Sequence, residues 1–360
     1  MNETGINSSA MIDDNILNFI YSYYVKYARL TELINTEFAG SDATEVNLMI
    51  NVNDILCKVE AYSKAFNVPP SNDLVLMAGL INLIAHYRQF FKSRYGCTTK
   101  VWLINSIDNA ISPLYDRNYK TKLPSAQYNI DANIFDSMCK YIPDVQYVSG
   151  RADFVTIASF IMSYHVADKS PYIVLTKDPY DFQLCAKNNV WVLRPKKKNK
   201  DDISYLVNNY NAIYYYCEET FRKIPPMKKF ENYPTDIIGI IMAMTRVPTR
   251  GLRSMYSLDN VLTNLDFRIA NSSVPLKYPW DPNLFFNGLD RCVNGTINKD
   301  IPQLVNRFKA VDSVFFQVLG FKQMPESKTY NGIINLYDPK GMQEINEKYF
   351  KNYPLDLEVL

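Results

Sequence analysis

The sequence predicts an α/β fold in which a mostly parallel sheet carries helices on both faces. Short apolar segments have the length and continuity of buried strands, and segments with helical spacing of apolar residues lie between them. The two kinds of segment alternate along the first half of the chain. Near-continuous apolar strands that alternate with helices are typical of parallel sheets that are covered on both sides.

The predicted elements begin with a helix over residues 12–38, where apolar side chains recur at helical spacing until Gly40-Ser41-Asp42 ends the pattern. The predicted strands cover residues 46–51, 100–105, 171–176 and 190–193, and the helices among them cover 53–66, 73–95, 153–165 and 179–187. Ligands of parallel sheets bind where the strands end. We therefore expect Asn51, Asn105 and Lys177-Asp178 to gather at one edge of the sheet.

Changes in composition and periodicity divide the chain into four predicted parts. These are an N-terminal helical extension, an α/β domain, a helical region and a C-terminal extension of unassigned role, over residues 1–45, 46–200, 201–270 and 271–360. The division at residue 200 follows a basic, turn-prone run at 195–200. From about residue 203 onward the pattern is mainly helical and interrupted by prolines.

The composition excludes several classes of protein. The 6 Cys are scattered without a C-x-x-C pair and the chain has 2 His, which argues against a zinc site. No apolar run approaches the roughly 20 residues that a membrane helix requires. A formal net charge of +2 gives no support to nucleic-acid binding, so that case depends on local clusters. We expect a soluble intracellular protein that has no membrane partner.

Two motifs lie at the ends of predicted strands. The first strand ends in the segment I-N-V-N-D-I-L, which places Asn51 at the strand end. The second strand ends at Asn105 and is followed by Tyr119 and Lys120 within a basic segment.

Three further motifs follow along the chain. The third opens a helix with Arg151, Asp153 and Phe154. The fourth, T-K-D-P-Y-D-F-Q-L over residues 176–184, follows a buried strand. The fifth, V-P-T-R-G-L-R over residues 247–253, has the composition of a turn that leads into a helix.

In this order the five segments, which span residues 46–265, resemble the motifs of the flap endonuclease and phage 5′→3′ exonuclease family. The resemblance implies a PIN-like fold and a helix–three-turn–helix region that grips the DNA backbone. It also implies metal-binding acids, but five matched positions hold other residues, namely Asn51, Asn105, Arg151, Phe154 and Tyr180. In the fifth segment Pro248 and Gly251 are kept, whereas Thr249 stands where the family has glycine.

These substitutions remove charge that metal-assisted phosphodiester hydrolysis needs. Mg²⁺ takes hard oxygen ligands, usually charged carboxylates, and the carboxylates retained in the matched segments are Asp153, Asp178 and the displaced Asp181. Asp54 or Asp108 is an alternative source of charge for a reduced site that binds Mg²⁺ or Mn²⁺. The other interpretation of Asp153 and Asp178 is that they cap helix N-termini and do not bind a metal ion.

Basic residues in local clusters are the candidate contacts for nucleic acid. One cluster comprises Arg117, Lys120 and Lys122, and a second is the run at 196–200. The third surrounds the turn of the fifth motif, where we expect Thr249 and Gly251 to contact phosphate together with Arg246, Arg250 and Arg253. Solvated loops are the alternative interpretation of such clusters.

Three functional hypotheses follow. The favoured one is a nuclease-fold protein without catalysis, with duplex or branched DNA or the other proteins of a larger assembly as its partners. Richness in Tyr, Asn, Ile and Lys is typical of AT-rich genomes and is consistent with a phage or viral protein of the host cytoplasm or virion. The alternatives are an active Mg²⁺-dependent 5′-nuclease with a reduced metal site and a structural protein without nucleic-acid contact.

Overall fold

One sheet organises the chain. A computed structural model describes residues 43–57, 73–106, 116–120, 132–150, 152–164, 170–198, 201–271, 286, 301–311 and 333–335. The strands of the described part are β1 Glu45–Asn51, β2 Thr98–Ser106, β3 Val145–Gly150, β4 Tyr172–Leu175, β5 Val190–Lys198, β6 Asp201–Val207 and β7 Ile333–Asn335. They lie in the order β6-β5-β4-β1-β2-β3-β7, and only β5 and β6 pair in antiparallel fashion. The predicted α/β class with a mostly parallel sheet is confirmed.

Helices cover both faces of this sheet. They are α1 Asp73–Tyr95, α2 Ala132–Tyr141, α3 Phe154–Tyr164, α4 Ala212–Thr220, α5 Ile238–Met244, α6 Leu258–Asn271 and α7 Ile301–Val311. The residues at 52–57 are also helical. Short 3₁₀ segments occur at Pro179–Ala186, Met227–Phe230, Thr235–Ile237 and Pro248–Arg250. None of the helices in the described ranges has the length and apolar character needed to cross a bilayer.

Strand alternation separates two apolar clusters. In β1, Leu48 and Ile50 face the cluster that contains side chains of α1 and α2. Met49 faces the other cluster, to which α3, α4, α5, α6 and α7 contribute. Successive side chains of a strand point to opposite faces, so a shift of one residue decides which set of helices a side chain meets.

The strand order creates a switch point beside β1. The chain runs from β1 to β2 and β3 on one side, and then returns to place β4 on the other side of β1. Crevices at such points, at the carboxyl ends of the strands, are where open parallel sheets bind ligands. The ends of β1 and β4 therefore define the position of the candidate site.

Several predicted elements were right and others were wrong. Helix α1 has the predicted bounds, and the four predicted strands correspond to β1, β2, β4 and β5. The prediction missed β3. The mainly helical pattern expected from about residue 203 was wrong for its first residues, which belong to β6. The proposed division at residue 200 falls between β5 and β6, which are paired neighbours in the sheet.

The two predicted extensions have different outcomes. The N-terminal extension lies outside the described residues except at 43–45. In the C-terminal extension, α7 buries Leu304 and Phe308 in the core, and β7 pairs with β3 at the edge of the sheet. At least these parts of the C-terminal region belong to the same folded unit as the sheet.

Candidate functional site

An open pocket of about 220 Å³ lies at the switch point. Its lining comes from the ends of β1 and β2, from the residues that follow β1 and β4, from the start of α3 and from the 3₁₀ turn before α6. We call it the switch-point pocket, and its lining residues are Asn51, Asn53, Asp54, Cys57, Ser106, Asp153, Phe154, Lys177, Asp178, Thr249 and Arg250. The site that was predicted at the strand ends therefore has a physical counterpart.

The guanidinium of Arg250 lies between two carboxylates in this pocket. Its Nε donates to Oδ2 of Asp153 at 3.0 Å, and its Nη1 donates to Oδ2 of Asp178 at 2.5 Å. Arg250 is 4% exposed and Asp153 is 1% exposed. The side chain thus supplies a buried positive charge that bridges the two retained acids.

The backbone of the turn directs Arg250 inward. Pro248–Arg250 forms a 3₁₀ turn, and Gly251 follows in the left-handed region with φ of 69°. Val247 and Leu252 pair across this turn as an isolated bridge. The backbone N–H of Lys120 donates to the carbonyl of Arg250 at 3.0 Å, which ties the turn to the segment 116–120. A left-handed position favours glycine, since other side chains are strained there.

Two tyrosines complete the surroundings of the guanidinium. The hydroxyl of Tyr119 donates to Asp153 and accepts from Nε of Arg250 at 3.1 Å. The guanidinium lies 4.2 Å from the ring centroid of Tyr180, at cation–π distance. Tyr180 in turn donates from its hydroxyl to the carbonyl of Val311 at the end of α7. These contacts therefore join the pocket to α7.

The electrostatics of the cluster favour a permanently charged arginine. Burial lowers the pKa of Arg250, but the charges of Asp153 and Asp178 outweigh that effect and raise the pKa well above its usual value. Burial, followed by the charge of Asp153, raises the pKa of both Tyr119 and Tyr180. Both tyrosines consequently stay neutral and act as hydrogen-bond partners over the physiological pH range.

Asp178 has a second structural role. Its Oδ1 accepts from the backbone N–H of Tyr180 at 3.0 Å, and Pro179 occupies the first position of the 3₁₀ segment. The alternative prediction that Asp178 caps a helix is therefore confirmed. Asp153 lies just before α3, and its carbonyl accepts from the N–H groups of Thr156 and Ile157. Each acid thus begins a helical segment and also binds Arg250.

The two strand-end asparagines lie on opposite faces of the sheet. Asn51 lines the switch-point pocket, and its Oδ1 accepts from the backbone N–H of Asn53 at 3.1 Å. Asn105 donates instead to the hydroxyl of Tyr147, whose ring stacks on Phe135 of α2. The expectation that Asn105 joins the site was wrong, because its position in β2 turns it towards the face that carries α1 and α2.

Ser106 occupies the place in the pocket that was predicted for Asn105. Its backbone N–H donates to Oδ1 of Asn53 at 2.9 Å, and its carbonyl accepts from Nδ2 of the same residue. Its hydroxyl donates to the carbonyl of Ala152 at 2.6 Å. This network joins the ends of β1 and β2 to the start of α3.

The candidate replacement acids differ in position. Asp54 lines the pocket, and its Oδ2 accepts from the backbone N–H of Lys177 at 2.7 Å. Asp181 is 1% exposed and accepts from the hydroxyl of Thr176 at 2.5 Å, but it does not line the pocket. Burial and the nearby charge of Asp178 raise the pKa of Asp181 well above its usual range. The carboxyl of Asp181 is thus enclosed outside the lining of the pocket, and its role as a metal ligand stays a prediction.

The matched positions that hold aromatic residues are buried around the pocket. Phe154 lines it and is 4% exposed, and Tyr180 is 2% exposed beneath the guanidinium of Arg250. Arg151, Asp108 and Lys122 lie outside the described residues.

The residues predicted to contact nucleic acid fall into three settings. Arg117, Lys120, Arg246, Gly251 and Arg253 are exposed on the surface. Thr249 is half-buried and lines the switch-point pocket. Arg250 is enclosed by acids and tyrosines, so the expectation of a phosphate contact for this residue was wrong.

Sequence reasoning missed part of the site. Asn53 and Ser106 line the pocket beside the expected Lys177, and Tyr119 lies against its charged centre. Ser106 could have been found from its position at the end of β2. The inward direction of Tyr119 has no counterpart in local sequence, because it depends on the packing of the turn at Gly251 against segment 116–120.

The residues present do not fit a divalent cation at the centre of the pocket. Within the described ranges, no group of three or more His, Cys, Asp or Glu side chains is arranged to bind a metal ion. Asp153 and Asp178 both direct an oxygen at Arg250, whose positive charge opposes a cation between them.

When the chain is compared with protein-family models and with curated proteins, neither comparison yields a match.

Proposed function

We propose that this chain is a catalytically silent protein with a PIN-like, 5′-nuclease-like scaffold that binds nucleic acid without cutting it. The observation that carries the proposal is the Arg250 guanidinium between Asp153 and Asp178. Metal-dependent nucleases use carboxylates to hold the ions that activate water and stabilise the leaving oxygen. Here the corresponding acids hold a side chain of the protein.

The scaffold part of the proposal is supported by the order of the motifs and by their positions. Segments that resemble the nuclease motifs lie at or just beyond the carboxyl ends of β1, β2 and β4. Helices α5 and α6 flank the turn at Pro248–Arg250, as expected of a helix–three-turn–helix region. Exposed Arg117, Lys120 and Arg253 near this turn are suited to contacts with phosphate.

The cleavage experiment uses the full chain with fluorescent flap and nicked-duplex DNA in the presence of Mg²⁺ or Mn²⁺. We expect no cleavage above that of a sample without protein, because the cation position is taken by Arg250. The matched control is the variant Asp153→Asn/Asp178→Asn, which keeps the shapes of both side chains and removes their charges. Cleavage by the wild type that the control variant lacks would show an active enzyme and overturn the proposal.

Nucleic-acid binding is tested separately by fluorescence anisotropy with the same DNA at several salt concentrations. We expect binding that weakens as salt rises, because phosphate contacts release counterions. Absence of binding at the lowest salt concentration would favour the structural hypothesis over the nucleic-acid-binding one.

A further inference from the structure

Helix α7 contacts the surroundings of Arg250 at two separate points. The carbonyl of Val311 accepts from the hydroxyl of Tyr180 at 2.7 Å, and the ring of Tyr180 lies beneath the guanidinium of Arg250. Nη2 of Arg307 donates to the carbonyl of Thr245, which ends α5 shortly before the turn that carries Arg250. The position of α7 is therefore linked to the ring on one side of Arg250 and to the turn on the other.

An apolar stripe holds α7 against α5. Five apolar side chains at helical spacing are buried in the cluster that also contains the side chains of α5, namely Ile301, Leu304, Val305, Phe308 and Val311. Gln303 and Asn306 are exposed on the other side of the helix. Burial of apolar surface stabilises the docked helix in proportion to the area that is removed from water.

Arg307 lies on the buried side of α7 and opposes docking. It is 4% exposed, and within the described part of the chain no carboxylate forms an ion pair with it. Among the same residues its Nε has no hydrogen-bond partner, and burial lowers the pKa of its guanidinium although the charge of Asp116 raises it. The partial negative charge at the end of α5 offsets part of the cost of burial, because the Thr245 carbonyl accepts from Arg307.

The two buried arginines of this region differ in what compensates their charge. Arg250 lies between the carboxylates of Asp153 and Asp178, whereas Arg307 has a backbone carbonyl as its hydrogen-bond acceptor. A buried cation that no acid pairs is costly, because the water that solvated it has been replaced by apolar surroundings. The docked position of α7 therefore carries a free-energy cost that is recovered when Arg307 returns to water.

We infer that α7 is a conformational latch, which is docked on α5 in the structure and loosens the surroundings of Arg250 when it leaves. On release, the Tyr180 hydroxyl loses its acceptor on Val311 and the Thr245 carbonyl loses its donor. The ring beneath Arg250 and the end of α5 then each lose a contact that fixes them. Arg307 is a positioning residue that sets the equilibrium between the docked and the released helix. This inference goes beyond the proposed function and does not depend on nucleic-acid binding.

The test is hydrogen exchange of the backbone amides of the full chain, which measures how readily each segment opens. We expect the amides of α7 to exchange faster than those of β1 and β2, because release of one helix costs less than unfolding of the sheet. The amides of Pro179–Ala186, the segment that contains Tyr180, should exchange at rates that follow those of α7.

Two variants change the latch in opposite directions. Arg307→Met removes the buried charge and keeps much of the side-chain volume, so the amides of α7 should exchange more slowly by about 5-fold or more. The hydrogen bond to Thr245 that this variant loses contributes less than the buried charge costs. Tyr180→Phe removes the hydroxyl that reaches Val311 and should speed the exchange of α7 by about 5-fold. In Arg307→Met the amides of Pro179–Ala186 should slow together with those of α7.

Arg88→Met is the matched control variant. Arg88 also donates from Nη2 to a backbone carbonyl, that of Pro143, but it is half-buried in α1 on the other face of the sheet. We expect the exchange of α7 in this variant to equal that of the wild type. Circular dichroism shows whether each variant keeps its fold, and if Arg307→Met does not fold, Tyr180→Phe decides the result.

Three outcomes would overturn the inference. Exchange of α7 at the rate of β1 and β2 in the wild type would mean that the helix opens only when the whole protein unfolds. Unchanged or faster exchange of α7 in Arg307→Met would mean that Arg307 does not oppose docking. Unchanged exchange of α7 in Tyr180→Phe, or slowing of α7 in Arg307→Met without slowing of Pro179–Ala186, would mean that the helix is not coupled to the surroundings of Arg250.

Discussion

Replacement of Arg250 by methionine tests the central feature of the site. The variant Arg250→Met keeps much of the side-chain volume but leaves the carboxylates of Asp153 and Asp178 without their bridging charge. At an effective dielectric constant of about 20, unit charges 3.0 Å apart attract each other by about 5.5 kcal/mol. Desolvation of the groups offsets much of this attraction in the folded protein.

The expected loss of stability follows from removal of one partner of a buried ion pair. Such changes destabilise proteins by about 3–5 kcal/mol, because an uncompensated charge stays buried. We expect a loss in this range because both acids lose their partner in a mostly buried setting. Asp153 is 1% exposed and the side chain of Asp178 is 19% exposed. Urea denaturation at pH 7 measures the change in the free energy of unfolding.

Two further variants define the origin of that loss. Arg250→Met/Asp153→Asn/Asp178→Asn removes the acids as well and should recover most of the lost stability, because no charge is then left unpaired. Arg250→Lys keeps the charge but lacks the fork that reaches both acids, so its stability should lie between those of the wild type and Arg250→Met.

The Arg250→Met variant also shows whether the pocket can bind a cation once the arginine is removed. Without Arg250, the acids of the pocket are free to attract a divalent cation, and Mn²⁺ at about ten times its dissociation constant would add about 1.4 kcal/mol to the stability of Arg250→Met. The wild type should show no such gain. A loss of less than 1 kcal/mol in Arg250→Met, or equal stabilisation of both proteins by Mn²⁺, would refute the view that Arg250 replaces a metal ion.

Three other predictions concern pH, the turn and the C-terminal helix. Asp181→Asn should stabilise the protein at neutral pH: the folded pKa of Asp181 is raised, so wild-type stability falls as pH rises above the unfolded value of about 3.9. Thermal unfolding of both proteins should show this gain disappear below about pH 4, and an equal difference at all pH values would contradict it. Gly251→Ala should destabilise by about 1 kcal/mol because φ is 69°, and Gly96→Ala, with φ of 68°, is the control for backbone strain alone. A much larger loss at Gly251 than at Gly96 in urea denaturation would show that contact with segment 116–120 dominates instead. Phe308→Ala should cost about 3–5 kcal/mol in the same assay, since Phe308 is 1% exposed in the core, and a loss below 1 kcal/mol would mean that α7 is not part of the cooperative unit.

The sequence was sufficient to predict those strands whose burial is evident from local composition. All side chains of β4 are apolar, and β1 contains the apolar run Leu48-Met49-Ile50, because both faces of a central parallel strand are covered. Strand β3 was missed because its segment V-Q-Y-V-S-G mixes polar and apolar residues. Strand β6 was missed because D-D-I-S-Y-L-V opens with two acids after a run of lysines, and its pairing with β5 is what holds it in the sheet.

The candidate site shows the same division between local and distant information. Asp178 could be recognised as a cap from sequence, because Pro179 follows it directly after a buried strand. The direction of the Asn105 side chain could not be recognised from sequence, since it depends on which face of the sheet the strand presents at that position.

The switch-point pocket was thus determined in part by sequence and in part by tertiary structure. By itself the sequence determined the α/β class, the polar residues at the strand ends and the turn at Gly251, because short-range patterns of burial and backbone preference are sufficient for these. Only the tertiary structure decided that Arg250, and not Arg246 or Arg253, lies between Asp153 and Asp178. The reason is that three arginines of one loop are chemically equal until packing encloses one of them beside buried acids that need a positive charge.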